Sequence, residues 1–267
     1  MQEYRSKLKK DEHPVYTEMR IPRLRAALWT STPDGTPSSD LAEVAVRVPP
    51  ATIAPAASVI VPDGCMDLIV IDSRVVIAGA DSSARTFSAP STHGEATGSA
   101  SVPAVAEPIV GLRFDPGVLP QLLATSAAEL VDQVTPLDAV IGRRALGAGT
   151  FADDSASRLV SIAEALTSRV EFNHRPVELA MLLDVSADQQ RSDIAEVAAQ
   201  FAYSPRQLRR LSADWFGYGP KHLAKVLRWQ AARAHIDAGR TRTAAAAAAG
   251  YADAAHLWRD EKSLLGL

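Results

Sequence analysis

The stretch RTAAAAAAGYADAAHLWR, residues 242–259, decides the fold of the C-terminal part of the chain. Six consecutive alanines, residues 244–249, predict a helix because alanine has the highest helix propensity. The Gly250-Tyr251 pair then predicts a tight turn, and Asp253 can cap the start of a second helix. In such a helix-turn-helix the two helices cross closely, so the first needs small side chains at the crossing. The alanine run therefore predicts a close-packed face rather than an exposed helix of low complexity.

An upstream stretch repeats this arrangement. SDIAEVAAQFAYSPRQLRRLSADWFG, residues 192–217, contains an apolar helix centred on Ala198, a turn at Tyr203 and a second helix that Ser204 can cap. Pro205 takes the first helical position, where its missing N–H is not needed. Between the two copies, residues 220–238 predict one helix about 28 Å long, close to the ~34 Å of one turn of DNA. This length lets both second helices enter successive major grooves on one face of the duplex.

The charge distribution agrees with a nucleic-acid partner. The formal net charge is −3, but residues 191–267 hold 12 Lys and Arg against 7 Asp and Glu, whereas the other residues hold 16 against 24. A basic C-terminal part on an acidic body is typical of a nucleic-acid-binding protein with a separate sensing or pairing domain. A solvated basic face gives the same balance, so charge alone does not decide between the two.

The C-terminal motifs YSPRQLRR, FGYGPK and AGYADAAHL resemble the DNA-binding domain of the AraC/XylS family of bacterial transcription regulators, over residues 191–267. Upstream, VPDGCMDLIV (61–70) and VGLRFDPGVLPQLL (110–123) resemble the N-terminal domain of one subgroup of that family, whose effector the residues do not identify. The resemblance implies an all-helical domain with two helix-turn-helix motifs, preceded by a regulatory domain that senses an effector or dimerises.

The N-terminal part predicts an α+β chain. Short β-prone runs separated by Gly, Pro and Ser clusters indicate an antiparallel sandwich or small barrel; they are LAEVAVRV (41–48), CMDLIVI (65–71), RVVIAGA (74–80) and IVGLRF (109–114). The second and third runs predict a hairpin that turns at Asp72-Ser73. Helical spacing follows in PGVLPQLLA (116–124), SAAELVDQV (126–134), ASRLVSIAEALTSRV (156–170) and PVELAMLL (176–183).

Four segments are expected from these patterns. They are a flexible arm at 1–15, a β-rich regulatory, effector-binding or dimerisation domain at 16–145, a helical connector at 146–190 and the DNA-binding domain at 191–267.

The second helix of the first motif predicts most of the sequence readout. Arg206, Arg209 and Arg210 share one helix face, and an arginine fork spans the O6 and N7 acceptors of guanine. The resemblance places Arg206 and Arg209 towards the bases, with Arg210 nearer the backbone. Contacts of these arginines with phosphates alone, or with carboxylates of the protein, are the alternative.

The second motif is poorer in polar side chains. The resemblance places long polar base-contacting residues where this chain has Ala254 and Ala255, which leaves His256 and Arg259. We therefore expect the first motif to set the sequence and the second mainly to position the protein through phosphates. For His256, a structural role is the alternative to a DNA contact. The expected DNA-contacting residues are Ser204, Arg206, Gln207, Arg209, Arg210, Lys221, Arg242, Thr243, His256 and Arg259, with Arg240 as a further phosphate candidate.

Two features depart from the family pattern. Glu261 stands where the family has an apolar residue, on the face shared with Leu257 and Leu264. A buried unpaired carboxylate is costly, so we expect this helix to be rotated, frayed or ion-paired there. The sequence also stops at Leu267, directly after LLGL, where the family generally continues.

Other candidate sites are weak. Cys65 is expected as a small core residue, with a sensor role as the alternative, and Arg113 is expected to pair with Asp115 or Asp67, with an effector contact as the alternative. His93 and Glu95 lack a third metal ligand. The single cysteine excludes an internal disulfide, and no catalytic motif is present, so no catalytic residue, metal or cofactor is expected.

The remaining expectations concern location and partners. The charged N-terminus and the lack of an apolar run of ~18 residues predict a cytoplasmic protein without a membrane contact. Double-stranded DNA is the expected partner, and RNA polymerase, a small-molecule effector and a second copy of the chain are further candidates. The alternative function is a small-molecule-binding or enzymatic protein in which a degenerate helix-turn-helix pair serves protein interaction.

Overall fold

The computed structural model describes residues 15–32, 58–71, 73–87, 108–142, 154–184 and 193–267. The predicted arm up to residue 14, the predicted strand at 41–48, and His93 and Glu95 lie outside these residues. The described strands are β1 (Val15–Ile21), β2 (Ala26–Thr32), β3 (Ser58–Ile60), β4 (Met66–Ile71), β5 (Arg74–Ala78), β6 (Arg85–Phe87), β7 (Ile109–Phe114) and β8 (Val134–Pro136). The described α-helices are α1 (Leu119–Leu123), α2 (Leu137–Ile141), α3 (Ser155–Thr167), α4 (Arg175–Leu183), α5 (Ile194–Gln200), α6 (Pro205–Phe216), α7 (Pro220–Asp237), α8 (Arg242–Ala248) and α9 (Ala254–Leu265).

The N-terminal strands form an antiparallel six-stranded sheet in the order β1-β2-β7-β4-β5-β8, and β3 pairs with β6. One face is apolar because the cross-strand partners Leu28, Leu112, Leu68 and Ile77 form a buried row across four strands. The α+β class with an antiparallel N-terminal domain and a helical C-terminal part is confirmed.

The hairpin predicted between residues 65 and 80 is confirmed by the pairing of β4 with β5, which runs from Asp67↔Ala78 to Ile71↔Arg74. The strands β1 and β2 were not among the predicted runs. They are joined by a 3-10 turn, Pro22–Leu24, and by Arg25 in the left-handed conformation, with φ of 49°. Pro22 is a turn signal, but Arg25 rarely adopts the left-handed conformation that completes this connection, so the connection is not evident from the sequence.

The helix predicted over residues 126–134 is wrong. Only a 3-10 turn, Ala127–Glu129, forms there, and Val134 begins the edge strand β8. Asp132 has φ of 55°, and its carboxylate accepts hydrogen bonds from the Ser82 N–H (2.7 Å) and hydroxyl (2.6 Å). Tertiary pairing with the chain after β5 therefore overrides the local helical pattern.

Helix α3 packs against β4 and β7, and α1 and α4 add buried residues to the same hydrophobic cluster. The three helices agree with the predicted helices at 116–124, 156–170 and 176–183. In α3 the buried stripe consists of Leu159, Ile162, Ala163 and Leu166. Asp154 caps this helix by accepting the Ser157 N–H at 2.8 Å.

The same hydrophobic core continues into the first helix-turn-helix. Val197 of α5 and Leu208 and Phe216 of α6 are buried in one cluster with Leu112 and Phe114 of the sheet. The approach is close at Gly117, where an added Cβ would lie 2.6 Å from Pro176 Cβ and 2.9 Å from Phe216 Cε1. The first motif is therefore packed onto the N-terminal domain rather than around a core of its own.

The second helix-turn-helix has a separate core. Its cluster contains Val226 and Trp229 of α7, alanines of α8, and Leu257 and Leu264 of α9. The N-terminal domain also reaches this unit, because Gln230 Nε2 donates to the Pro62 carbonyl (2.5 Å) and Ala84 N–H donates to the Leu264 carbonyl (2.6 Å). Within the described residues, no helix is long and apolar enough to span a membrane.

Substitution of Phe216 tests the shared core. Phe216→Ala should lower the free energy of unfolding by about 3–5 kcal/mol, since it removes a fully buried aromatic side chain from between two packed layers. Met181→Ala, at a side chain that is 66% exposed, should change it by less than about 0.5 kcal/mol. Urea unfolding monitored by circular dichroism measures both, and equal small effects would contradict the shared core.

Candidate nucleic-acid interface

The first motif is built around a tight turn between α5 and α6. Asp193 caps α5, Ala198 is buried at the crossing as predicted, and Tyr203 N–H donates to the Ala198 carbonyl at 2.9 Å. Ala202 supplies the left-handed residue of the turn, with φ of 55°. These contacts orient the start of α6 away from the core.

Ser204 and Gln207 form a reciprocal cap at the start of α6. Ser204 Oγ accepts the Gln207 N–H at 3.2 Å, and Gln207 Oε1 accepts the Ser204 N–H at 2.9 Å and the Ser204 hydroxyl at 3.0 Å. Both residues were predicted to contact DNA from their position alone. In the structure their side chains satisfy backbone groups that the helix start leaves unpaired.

The arginines of α6 remain exposed. Arg206, Arg209 and Arg210 lie on the solvent side of the helix, while Leu208 between them is buried. None of the three forms an ion pair with a carboxylate in the described part of the chain. Their guanidinium groups are therefore presented together on one face, at the spacing that the sequence predicts.

Arg175 of α4 binds the turn between α5 and α6, a role that the sequence does not reveal. Its Nη1 donates to the Phe201 carbonyl (3.2 Å) and to the Tyr203 hydroxyl (2.6 Å), and the guanidinium lies 5.1 Å from the Tyr203 ring centroid. Arg175 and Phe201 also line a cleft of about 650 Å³ between α4 and the first motif.

The second motif uses half of the alanine run for packing. Ala245, Ala246 and Ala249 are fully buried, whereas residues 244, 247 and 248 are exposed. The expectation of a close-packed face is therefore right, although the face comprises three of the six alanines. Thr241 caps α8, and Gly250 with φ of 71° makes the turn as predicted.

Glu261 is ion-paired with Arg242, so of the three expectations for this residue the ion pair is the one observed. Its side chain is only half-buried, at the edge of the second core. The pair links the start of α8 to α9 and holds the Arg242 side chain, which was predicted as a phosphate contact. The charge of Glu261, which stands where the family has an apolar residue, is therefore neutralised within the motif.

A largely buried charge pair joins α7 to α9. Arg228 Nη2 lies 2.6 Å from Asp260 Oδ2, with side chains only 10% and 17% exposed. The Arg228 guanidinium also lies 4.3 Å from the centroid of Tyr251, and burial raises the pKa of the Tyr251 hydroxyl to about 12. The charge pair therefore sets the position of α9 relative to α7 and the turn.

The other DNA contacts predicted for the C-terminal part differ in their exposure. The His256 ring packs edge-to-face against the Tyr251 ring, with centroids 5.1 Å apart. The backbone N–H of His256 donates to Asp253 Oδ1 at 2.6 Å. This geometry agrees with the structural alternative for its ring. The remaining side chains are exposed: Lys221 at the start of α7, Thr243 at the start of α8, Arg240 before α8, and Arg259 on α9.

The weak effector candidates are engaged within the N-terminal domain. Arg113 Nε lies 3.3 Å from both Asp67 Oδ1 and Asp63 Oδ2. Of its two predicted partners Asp67 is right and Asp115 is wrong, because Asp115 forms a bidentate pair with Arg20, at 2.5 Å for each bond.

Cys65 lies directly before β4 rather than within it, and is partly buried. Its backbone N–H donates to Asp63 Oδ1 at 2.8 Å. Burial raises the pKa of its thiol well above the usual range, which favours the unreactive protonated form. Among the described residues, no group of three His, Cys, Asp or Glu side chains is arranged to hold a metal ion.

Comparisons with known proteins agree with this geometry. Residues 197–267 match the family model of a helix-turn-helix domain, and residues 36–136 match that of a domain of unknown function (DUF6597). The C-terminal part of the chain is thus a DNA-binding helix-turn-helix domain. Its type is that of the AraC family, as its motifs predict, and a domain of unknown function precedes it.

The solved structures to which the chain is similar at low identity include two of ToxT from Vibrio cholerae. The structure from strain O395 is 10% identical, with a TM-score of 0.39, and the match covers 79% of this chain and 91% of that chain. The unsaturated fatty acid-bound wild-type protein from strain SCE256 is 12% identical, with a TM-score of 0.39, and the match covers 79% and 89%. No curated protein matches the chain in sequence. Likeness at this level leaves the function to be derived from the residues of the chain itself.

Enlarging one alanine tests the helix crossing of the second motif. Ala246→Leu should destabilise the protein by about 1–3 kcal/mol, because the added atoms must enter a packed site. Ala247→Leu, one position along on the exposed side, should change stability by less than about 0.5 kcal/mol. Thermal unfolding distinguishes the two, and similar effects would show that the run is not packed through Ala246.

Removal of one partner tests the charge pair of the second motif. Asp260→Ala should cost about 3–5 kcal/mol of stability, since it leaves the Arg228 guanidinium buried without a counter-charge. The matched control is Asp237→Ala, whose partner Arg233 lies 3.9 Å away on the same helix, and its cost should be below about 1 kcal/mol. Equal losses in urea unfolding would mean that the Arg228 pair does not position α9.

Proposed function

We propose that this chain is a sequence-specific transcription regulator whose first helix-turn-helix contacts bases through Arg206 and Arg209 and whose second mainly positions the protein on DNA. The observation that carries the proposal is the exposed arginine face of the capped helix α6, which forms no ion pair with a carboxylate among the described residues. Arg210, on the same face, is assigned to the adjacent phosphates. Arginine recognises guanine by a two-pronged hydrogen bond in the major groove, and each such pair contributes about 1–3 kcal/mol of discrimination.

The link between the motifs supports binding to one face of the duplex. Helix α7 contains 18 residues, which corresponds to about 27 Å at 1.5 Å per residue. Successive major grooves on one face of DNA recur about every 34 Å, so a rigid helix of this length can separate two groove-binding helices.

Backbone contacts are assigned to exposed polar side chains at helix ends and turns. Lys221, Arg240, Thr243 and Arg259 are the main candidates, because their side chains are exposed. Arg242 can contact a phosphate only through the guanidinium N–H groups that do not bind Glu261. His256 has the least support as a DNA contact, since its ring packs on Tyr251.

The N-terminal domain, residues 16–145, is assigned a regulatory role, followed by a connector at 146–190. This assignment is supported by the core that the sheet shares with α6 and by the contacts of Pro62 and Ala84 with the second motif. A small-molecule effector, a second copy of the chain or RNA polymerase acting on this domain would alter the presentation of both motifs. DNA as the target implies that the protein acts in the bacterial cytoplasm.

Selection of bound sequences from random double-stranded DNA at ~0.1 M salt tests the proposal. The wild type should enrich one motif containing guanines, and Arg206→Ala and Arg209→Ala should each relax the preference at a distinct base pair. Arg259→Ala should weaken binding to all sequences with a smaller loss of base preference, as expected for a phosphate contact.

The matched control is Arg23→Ala, which removes the same charge from an exposed arginine of the N-terminal domain. It should leave both the enriched motif and the affinity nearly unchanged. Enrichment of no motif, together with unchanged binding by Arg206→Ala and Arg209→Ala, would refute sequence-specific regulation and favour the interaction-only alternative.

A further inference from the structure

We propose that Trp258 is a specificity-determining residue of the second motif and that it contacts the C5-methyl group of thymine in the major groove, with Ala255 beside it. The inference rests on the proposed DNA-binding function and refines the mainly positional role of α9. It assigns to this helix an apolar contact with bases in place of the hydrogen bonds that its alanines cannot make.

The two second helices can be aligned by their caps. Ser204 and Asp253 each accept the backbone N–H of the third helical residue, Gln207 and His256 respectively. The next residue is buried in both helices: Leu208 is 0% exposed and Leu257 is 1% exposed. Equal distance from the cap and an equal buried position show that α6 and α9 present the same faces in the same register.

This register makes Trp258 the counterpart of Arg209. Counted from the cap, the second helical residues are Arg206 and Ala255, and the fifth are Arg209 and Trp258. The face of α6 that carries the base-contacting arginines therefore corresponds on α9 to Ala255 and Trp258. Arg259 corresponds to Arg210, the residue assigned to the backbone.

The environment of Trp258 is that of a contact residue. Its side chain is 52% exposed, whereas Trp229 and Tyr251 of the same unit are buried. Lys262 Nζ lies 4.9 Å from the Trp258 ring centroid, and Arg259 is exposed beside it. The exposed indole gives α9 an apolar surface on its outer face, and the two adjacent cations indicate that the partner is anionic.

Thymine provides the matching chemistry. Its C5-methyl is the apolar group of the major-groove edge of an A·T pair, and it is recognised by apolar side chains such as alanine and phenylalanine. Ala255 is small enough to let the helix approach the base edges, while Trp258 offers a broad apolar surface. The backbone phosphates are left to Arg259 and Lys262.

Replacement of thymine by deoxyuridine removes this methyl group and leaves every hydrogen-bonding group in place. In the enriched DNA, each thymine of the half bound by α9 is replaced singly. The wild type should lose about fourfold in affinity at one or two positions, as expected for loss of one buried methyl group. Trp258→Ala should bind the thymine and deoxyuridine forms equally, and Trp258→Phe should restore part of the preference.

Arg259→Ala is the control, and it should weaken both forms by the same factor and retain the thymine preference. Circular dichroism should show Trp258→Ala to be folded, as its exposure predicts. An unchanged thymine preference in Trp258→Ala, or the lack of any preference in the wild type, would overturn the inference while the enriched motif still stands. Enrichment of no motif would instead refute the proposed function itself.

Discussion

The structure depends on a hydrophobic core that the N-terminal sheet shares with the first helix-turn-helix. Leu208 and Phe216 of α6 are buried in the same cluster as Leu112 and Phe114 of the sheet, and Gly117 permits the close approach. Burial stabilises this contact roughly in proportion to the apolar area removed from water, and the close packing of the side chains fixes the position of α6. The helix that carries the exposed arginines therefore shares its buried side chains with the N-terminal domain.

The second motif is held by different forces. Its small core is completed by charge pairs, Arg228 with Asp260 and Arg242 with Glu261, and by two backbone contacts with the N-terminal domain. These pairs connect α9 to both other helices of the motif, through Arg228 of α7 and Arg242 of α8. The two motifs thus differ in attachment and in the side chains that they expose: α6 presents arginines on an extended core, whereas α9 presents a tryptophan on a small one.

Short-range sequence patterns correctly predicted several helices, their caps and one hairpin. The alanine run, the Ser204 and Asp253 caps and the β4–β5 hairpin all follow from short-range propensity and turn chemistry. The helix expected at 126–134 failed because Asp132 bonds to a residue 50 positions away. The roles of Arg175 and Arg228 were missed for the same reason, since their partners lie on other elements. The exposure of Trp258 is not evident from the sequence either, because tryptophan is highly buried on average.

The sequence by itself determined the AraC-type helix-turn-helix pair, the α+β class and the cationic face of α6, because these depend on residue type and spacing within single segments. Only the tertiary structure decided that the first motif shares the core of the N-terminal domain, that Glu261 is neutralised by Arg242, and that Trp258 faces solvent. Each of these depends on which side chains meet across distant segments. The free energy of burial and charge pairing is set by that contact and not by the local pattern.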